Sequence, residues 1–434
     1  MRMTAVEKGL ARAAGLSAVR PGDVVHPVAD LVFVHDGVVE GVKHQLDELG
    51  VKRLANPERV VFVTDHEVVY LTPRAAARGA TNRAAARAFR IGRFFDAGRG
   101  GHGHIFPMEA GLVRPGMFIF ANDMHCSNFG AIGAVPFRAG LEVVTVLVTG
   151  TLWTEVPRSI LVVLDGHLPQ GVYPRDVGFW LARELTQGAA AVDVDYRYLE
   201  ITGSAVNDLA LDERVPLCNT PTEIGVAGVF IPPSGSVLDW ARAHAEAPFD
   251  PIYSDPDAQY ERSLHFDVSP LVPQIALPGS PANAVDVDKA AGETVQHAFI
   301  GACGSGMYTD FEIAARVLAG NRIADNVRLF IAPGSVELAS RMSRDGLMET
   351  FSKAGAIVLP AGCGPCAGGN MGPMAQGETS ISTAATNHDG RMGPAGSRCY
   401  LGSPATVAAS ALAGRIADPR PYLDGAQPMC RGAA

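Results

Sequence analysis

At 434 residues the chain is long enough for two or three compact domains around a large buried core, so neither disulfides nor a structural metal is needed for bulk stability. About half of the residues are apolar (47%) and about a fifth are charged (19%), a globular composition that excludes disordered and fibrous classes. The 36 basic and 45 acidic side chains leave a net charge of −9 with no basic block to receive a phosphate backbone, so nucleic acid is not an expected partner.

The N-terminus, MRMTAVEKGLARAAG, lacks the apolar core and cleavage site of a signal peptide, and no uninterrupted apolar run approaches about eighteen residues. The expected location is the cytoplasm, away from membranes. Residues 4–15 predict a short amphipathic helix with Thr4 as N-cap and Gly15 as its stop. Apolar, β-branched runs bounded by Gly, Pro or Asp then predict buried strands at 60–64, 117–121, 143–150 and 159–165. A helical pattern follows at 176–185, and the alternation points to α/β layers.

Beyond residue 292 the pattern reads strand 295–300, helix 310–318, strand 327–332, helix 335–354, strand 356–359, a βαβαβ order. The Pro-, Ala-, Asp- and Gly-rich stretch 270–292 separates it from what precedes. The expected organisation is an N-terminal α/β region over 1–285 and a C-terminal α/β region over 286–434.

Seven cysteines in a chain without a secretion signal read as thiols, metal ligands or core residues rather than as a disulfide framework. Cys303, in GACGSG, and Cys363 with Cys366, in GCGPC, each follow a predicted strand, where open parallel sheets place their sites. One thiolate plus a CxxC pair suits a cubane cluster in which three irons are tied to protein and the fourth stays open as a Lewis acid. A redox pair or a zinc half-site fits the bare CxxC spacing as well. Cys126, Cys218, Cys399 and Cys430 lie in unrelated contexts and are expected to be core or surface thiols, with Cys126 set apart by its neighbours.

Asp65-His66 and Asp123-Met124-His125 each put a carboxylate and an imidazole at a strand end, an arrangement that fixes a histidine tautomer and suits general acid chemistry. His102 and His104 sit in the glycine-rich RGGHGHIFPME, with Glu109 beyond them. Asn219 and Glu223, in CNTPTEIG, share a helical face at i, i+4. Each of these groups taken alone also fits a structural role, as a satisfied histidine or a helix cap. His35-Asp36 follows a less distinct strand and is read as structural.

Together EKGLARAAG, TDH, GHIFPMEAGL, DMHCSNFGAIGA, TLWTEVP, DGHLPQGV, CNTPTEIG, GAC, GCGPC and HDGRMGPAGSRCYLGSPATVAASA run nearly the whole chain in one order. That colinear set resembles the aconitase family, in its branch of isopropylmalate dehydratase large subunits. The resemblance implies aconitase-like three-layer α/β/α domains surrounding an iron-sulfur site, without the swivelling domain. It implies a [4Fe-4S] cluster on Cys303, Cys363 and Cys366. Asp65, His66, His104, Asp123, His125 and Glu223 then fall on catalytic positions, and Asn219 and Arg391 on substrate-binding ones. The implied reaction is the removal or addition of water on a small hydroxy di- or tricarboxylic acid.

In the family the proton-abstracting serine lies on the swivelling domain, and this chain holds no GSSRE-like segment. The resemblance therefore implies a separate small subunit, in a heterodimer or heterotetramer. Where the family reads SNRNFEGR this chain reads AATNHDGR, so an Asn-Arg pair becomes Ala385-Thr386 while Arg391 persists; Met124 replaces a small polar residue of the DSHT motif. Threonine cannot reproduce bidentate recognition of a carboxylate by arginine, which points to a substrate that is less charged or carries an apolar group. Two other readings stand beside this one: a relative with a [3Fe-4S] cluster or a single metal ion, and a non-catalytic cluster-sensing protein.

Overall fold

The computed structural model describes residues 2–423, which form two α/β units. The first comprises the chain up to Asp165 together with Asp193–Phe266; the second comprises Gly166–Val192 and the chain from Asp267 onward.

In the first unit the opening helix, Ala5–Ala13, starts as its sequence predicts. The Thr4 hydroxyl accepts from the Glu7 amide at 3.3 Å, and the Glu7 carboxylate accepts from the Thr4 amide at 2.8 Å, a reciprocal capping box. A five-stranded, wholly parallel sheet follows in the order Arg93–Phe95, Val60–Val63, Leu31–His35, Phe118–Ala121, Val135–Arg138. Its central strand is buried at every position, as its unbroken apolar run LVFV requires of a strand covered on both faces. The strands Gly228–Phe230, Tyr198–Thr202 and Ser159–Asp165 form a second parallel set with Arg262–Asp267 on its edge. Phe62, Phe118, Phe120, Phe137 and Tyr198 share one apolar core between these sheets.

One expected strand is a helix. Residues Val143–Thr149, VVTVLVT, favour a strand by β-branching alone, yet they wind into a helix that Gly150 stops at φ 83°. Val143, Val144, Val146 and Leu147 are its buried positions, the i, i+1, i+3, i+4 set of a helical stripe, and they join the core that also holds Val39 and Val42 of helix Asp36–Glu48. Burial of that stripe outweighs a propensity difference of a few tenths of a kcal/mol per residue.

The second unit is built on a seven-stranded sheet in the order Ala284–Asp286, Gln274–Ala276, Arg398–Gly402, Thr379–Ser382, His297–Ile300, Arg328–Ile331, Ile357–Val358. The last five are parallel and the first two add antiparallel to the edge. The βαβαβ order is present, with helix Tyr308–Leu318 between strands as expected. The predicted helix 335–354 is two helices, Val336–Arg344 and Leu347–Ala354, because Gly346 adopts φ 80° and breaks the hydrogen-bond ladder. The stretch 270–292 contributes the two antiparallel strands, and helix Pro174–Thr186 covers them. Among the described residues no helix is long and apolar enough to cross a membrane.

Candidate functional site

Four adjacent strands of the five-stranded sheet end on the same edge, and each hands polar residues to it. Leu31–His35 leads into Asp36, Val60–Val63 into Asp65 and His66, Phe118–Ala121 into Asp123 and His125, and Arg93–Phe95 into the loop of His102 and His104. The carboxyl edge of parallel strands is where such a sheet can expose side chains without disturbing its ladder.

Asp65 is fully buried at the centre of this edge. Its Oδ2 accepts from His35 Nδ1 at 3.0 Å and from the Gly103 amide at 2.8 Å, while its Oδ1 stands 2.8 Å from His66 Nδ1. A buried carboxylate without such partners would cost several kcal/mol. Burial resists ionisation of Asp65, but the charges and hydrogen bonds of His35 and His66 outweigh it and hold the carboxyl well below its ordinary range.

The same Nδ1 of His66 is hydrogen-bonded to Asp36 Oδ1 at 2.7 Å, so the imidazole is paired with two carboxylates. Asp36 is itself held, its oxygens accepting from the amides of His66 at 3.3 Å and Glu67 at 3.0 Å. Burial would make His66 less basic; the Asp65 charge and the Asp36 hydrogen bond prevail and raise its pKa well above that of a free imidazole. His35, also buried, is raised in the same way, burial being outweighed by Asp65.

His125 has both ring nitrogens against carboxylates, Nδ1 at 3.0 Å from Asp123 Oδ1 and Nε2 at 2.8 Å from Glu223 Oε1. Both contacts are hydrogen bonds only if the ring is an imidazolium or one carboxyl is protonated. Asp123 caps the Met124–Ile132 turn by accepting from the His125 amide at 2.8 Å, and lies 3.7 Å from His104 Nε2. Burial pushes its pKa up, but His125, His104 and His35 together bring it well below the ordinary carboxylate range. Asn219, the last residue of helix Leu211–Asn219, donates to Asn128 Oδ1 at 3.1 Å, and Asn128 donates to the His104 carbonyl at 3.4 Å.

Asp65, His66, His104, Asp123, His125, Asn219 and Glu223 therefore stand in one connected network in the first unit. His35 and Asp36, expected to be structural, belong to it, and so does Asn128. His35-Asp36 carries the same imidazole and carboxylate at a strand end as the other pairs, and the less distinct run before it is a fully buried strand, Leu31–His35. His35 with Asp65 and His66, and His104 with Asp123 and His125, each place three donor atoms within 4.8 Å of one another, close enough to hold a metal ion.

In the second unit Cys303 follows the strand His297–Ile300, and Cys363 and Cys366 follow Ile357–Val358, at the same carboxyl edge. All three are buried, at 3%, 5% and 4% exposure. The loops are tied through the one between them, the Gly334 amide donating to the Gly306 carbonyl and the Gly362 amide to the Pro333 carbonyl. Gly301 (φ 144°) and Gly364 (φ 59°) both close onto the Phe299 ring, where a Cβ would come within 3.1 and 2.9 Å of it. Three buried sulfurs in loops that only glycine can fold this tightly fit the protein side of a cubane cluster. Arg391 Nη2 approaches Cys366 Sγ at 3.6 Å, a cation beside a prospective thiolate.

The remaining described cysteines differ. Burial pushes up the thiol pKa of Cys126 and Cys218, and that of Cys399 to about 11, which leaves all three as inert core thiols. Cys430 lies outside the described residues. Ala385 and Thr386 are buried, the threonine hydroxyl lying 3.4 Å from His388 Nδ1.

Residues 23–414 match the model of the aconitase family (aconitate hydratase). The chain is 39% identical over 430 residues to the 3-isopropylmalate dehydratase large subunit 1 of Methanopyrus kandleri, covering 98% of this chain and 100% of the relative. It is 37% identical over 425 residues to the probable methanogen homoaconitase large subunit of Methanothermobacter thermautotrophicus, covering 97% and 98%. Among solved structures, Thermococcus kodakaraensis aconitase X in its holo-form aligns with a TM-score of 0.50 at 11% identity over 88% of this chain and 89% of that one, a likeness of fold alone.

Proposed function

The chain belongs to the aconitase family and is a lyase, and from that premise we propose that it is the large subunit of a hydro-lyase acting on a small hydroxy di- or tricarboxylic acid. The observation that carries the proposal is the His66 imidazole, hydrogen-bonded to Asp36 and ion-paired with Asp65. The two carboxylates raise its pKa well above that of a free imidazole, which suits a general acid for a leaving hydroxyl.

Cys303, Cys363 and Cys366 would hold a [4Fe-4S] cluster, which when bound supplies an iron open to the substrate's hydroxyl and carboxylate. His66 engages its carboxylates through Nδ1, so its Nε2 carries the proton that passes to the departing oxygen. His125, between Asp123 and Glu223, holds a second transferable proton. Asn219 keeps His104 in place through Asn128, and Arg391 offers its guanidinium to a substrate carboxylate. Met124, where the family pattern has a small polar residue, and Thr386, where it has an arginine, favour a substrate with an apolar substituent.

The group that removes the proton from the neighbouring carbon is assigned to a small subunit. The two relatives above are each called large subunits, and this chain spans essentially all of both. The test is an ultraviolet assay for alkene formation from a panel of hydroxy acids, run anaerobically with and without a candidate small subunit. Turnover that requires both chains supports the reading; no turnover of any hydroxy acid by the cluster-loaded pair removes it.

A second reading has its own observation. His104, Asp123 and His125 would hold a single divalent cation without any cysteine, in which case metal content survives replacement of all three cysteines.

A further inference from the structure

Arg175 is one of the largest fully buried side chains of the protein, at 1% exposure, and none of the roles above uses it. It stands in the first turn of helix Pro174–Thr186 and lies in the second unit. Its Nη2 donates to the Ala384 carbonyl at 2.5 Å and approaches the Thr383 carbonyl at 3.4 Å. Its guanidinium carbon sits 4.7 Å from the centre of the Phe179 ring, one turn further along the helix.

The guanidinium also lies against Gly304, the residue after Cys303. A Cβ at Gly304 would fall 2.6 Å from Arg175 Nη2 and 2.7 Å from its central carbon, so glycine is what admits the charge there. The two loops it touches leave neighbouring parallel strands, His297–Ile300 and Thr379–Ser382. They are already joined by Thr383, whose hydroxyl accepts from the Gly301 amide and donates to the Gly301 carbonyl, both at 2.9 Å. Between them Ala302 is held at φ 60°, a left-handed conformation that a non-glycine residue keeps only where its surroundings impose it.

We infer that Arg175 is a positioning residue for the iron-sulfur site: it fixes the Cys303 loop and places a permanent positive charge beside the anionic sulfur and cluster. The inference rests on the cluster reading of Cys303, Cys363 and Cys366. A guanidinium cannot be deprotonated in a protein, so the charge persists at every working pH. A cluster held by three thiolates becomes more negative on reduction, and a fixed buried cation favours that more negative state, raising the reduction potential. The carbonyls it holds precede Ala385 and Thr386, so the same residue also sets the backbone from which that segment departs.

The experiment is an anaerobic reconstitution of the full chain as wild type, Arg175→Met, Arg175→Lys and Gly304→Ala. Iron content, circular dichroism and the midpoint potential of the cluster, followed by electron paramagnetic resonance, are read for each. Arg175→Met is expected to shift the potential to more negative values, Arg175→Lys to restore most of it, and Gly304→Ala to shift it in the Met direction by displacing the guanidinium. A purely structural arginine would lower cluster content in the Met and Lys variants alike and leave the potential of the remaining cluster unchanged; that result overturns the inference. If Arg175→Met does not fold, Gly304→Ala decides, and an unchanged potential there overturns it too. Wild-type chain that takes up no cluster overturns the cluster reading and this inference with it, an outcome distinct from a loaded wild type with unshifted variants.

Discussion

His125 Nε2 lies 2.8 Å from Glu223 Oε1, although 98 residues separate them. One belongs to the turn after strand Phe118–Ala121, the other to the short turn Thr220–Ile224 after helix Leu211–Asn219, and only the packing of that helix against the first turn brings them together. The contact gives His125 a second carboxylate opposite Asp123, so that both ring nitrogens face an acidic oxygen.

Replacing that carboxylate is therefore informative. Glu223→Gln keeps the shape and a hydrogen-bond acceptor but removes the charge, and turnover should fall by about 10²–10⁴-fold, the range for a positioned proton-transfer group. The fold should persist, because Glu223 is partly exposed and lies in no core. Steady-state rates and a thermal melt on the same sample check both halves.

The network also sets a pH dependence. The pKa of His66 is raised by Asp65 and Asp36, so its contribution to stability is complete below about pH 6.5 and is lost as pH rises through the raised value. The pKa of Asp65 is lowered, so its contribution is present above about pH 3.9 and is lost as pH falls through the lowered value. Asp36→Asn should bring the alkaline limb of the kcat/KM profile to lower pH by returning His66 toward an ordinary imidazole. A profile identical to the wild type would remove His66 as the general acid.

Much of this edge is legible in the sequence and some of it is not. Asp65-His66 and Asp123-His125 follow short β-branched runs bounded by polar residues, and the alternation of those runs with helices predicts that they share an edge. The pairing of Asp36 with His66 cannot be read in the same way, because it depends on strands Leu31–His35 and Val60–Val63 being neighbours in register, Val34 opposite Phe62 and His35 opposite Val63. The helix Val143–Thr149 is illegible for a related reason: a seven-residue run in which all but Leu147 are β-branched is ambiguous until the surface it covers is known. Arg175 gave no signal at all, since a lone arginine in GVYPRDV reads as a solvated helix position.

Asp176 makes a separate stability prediction. Burial pushes its pKa up to about 7, against the hydrogen bonds it accepts from the Gln274 amide at 2.9 Å and the Tyr173 amide at 2.8 Å. A raised carboxyl favours the protonated folded state, so stability should decline as pH rises from about 4 towards neutrality and then level off. The full change is on the order of 4 kcal/mol. Urea denaturation across that range should show the slope in the wild type and a flatter response in Asp176→Asn.

Gly103 tests the packing of the network without touching a titratable group. A Cβ there would sit 2.4 Å from His35 Cε1 and 3.2 Å from Asp65 Oδ2. Gly103→Ala should cost about 1–3 kcal/mol of stability, as overpacking does, and should lower turnover by more than that loss explains because His35 and Asp65 are displaced. A variant with wild-type turnover would show that this geometry is not required for the reaction.

The iron-sulfur hydro-lyase reading is decided by an anaerobic analysis of iron and acid-labile sulfide in the reconstituted chain, compared with Cys363→Ser, with alkene formation assayed on the same samples after adding the small subunit. About four irons and four sulfides per wild-type chain are expected together with turnover, and loss of both in the variant. Wild-type chain with no sulfide, or a Cys363→Ser chain that keeps its iron and its turnover, would contradict that reading.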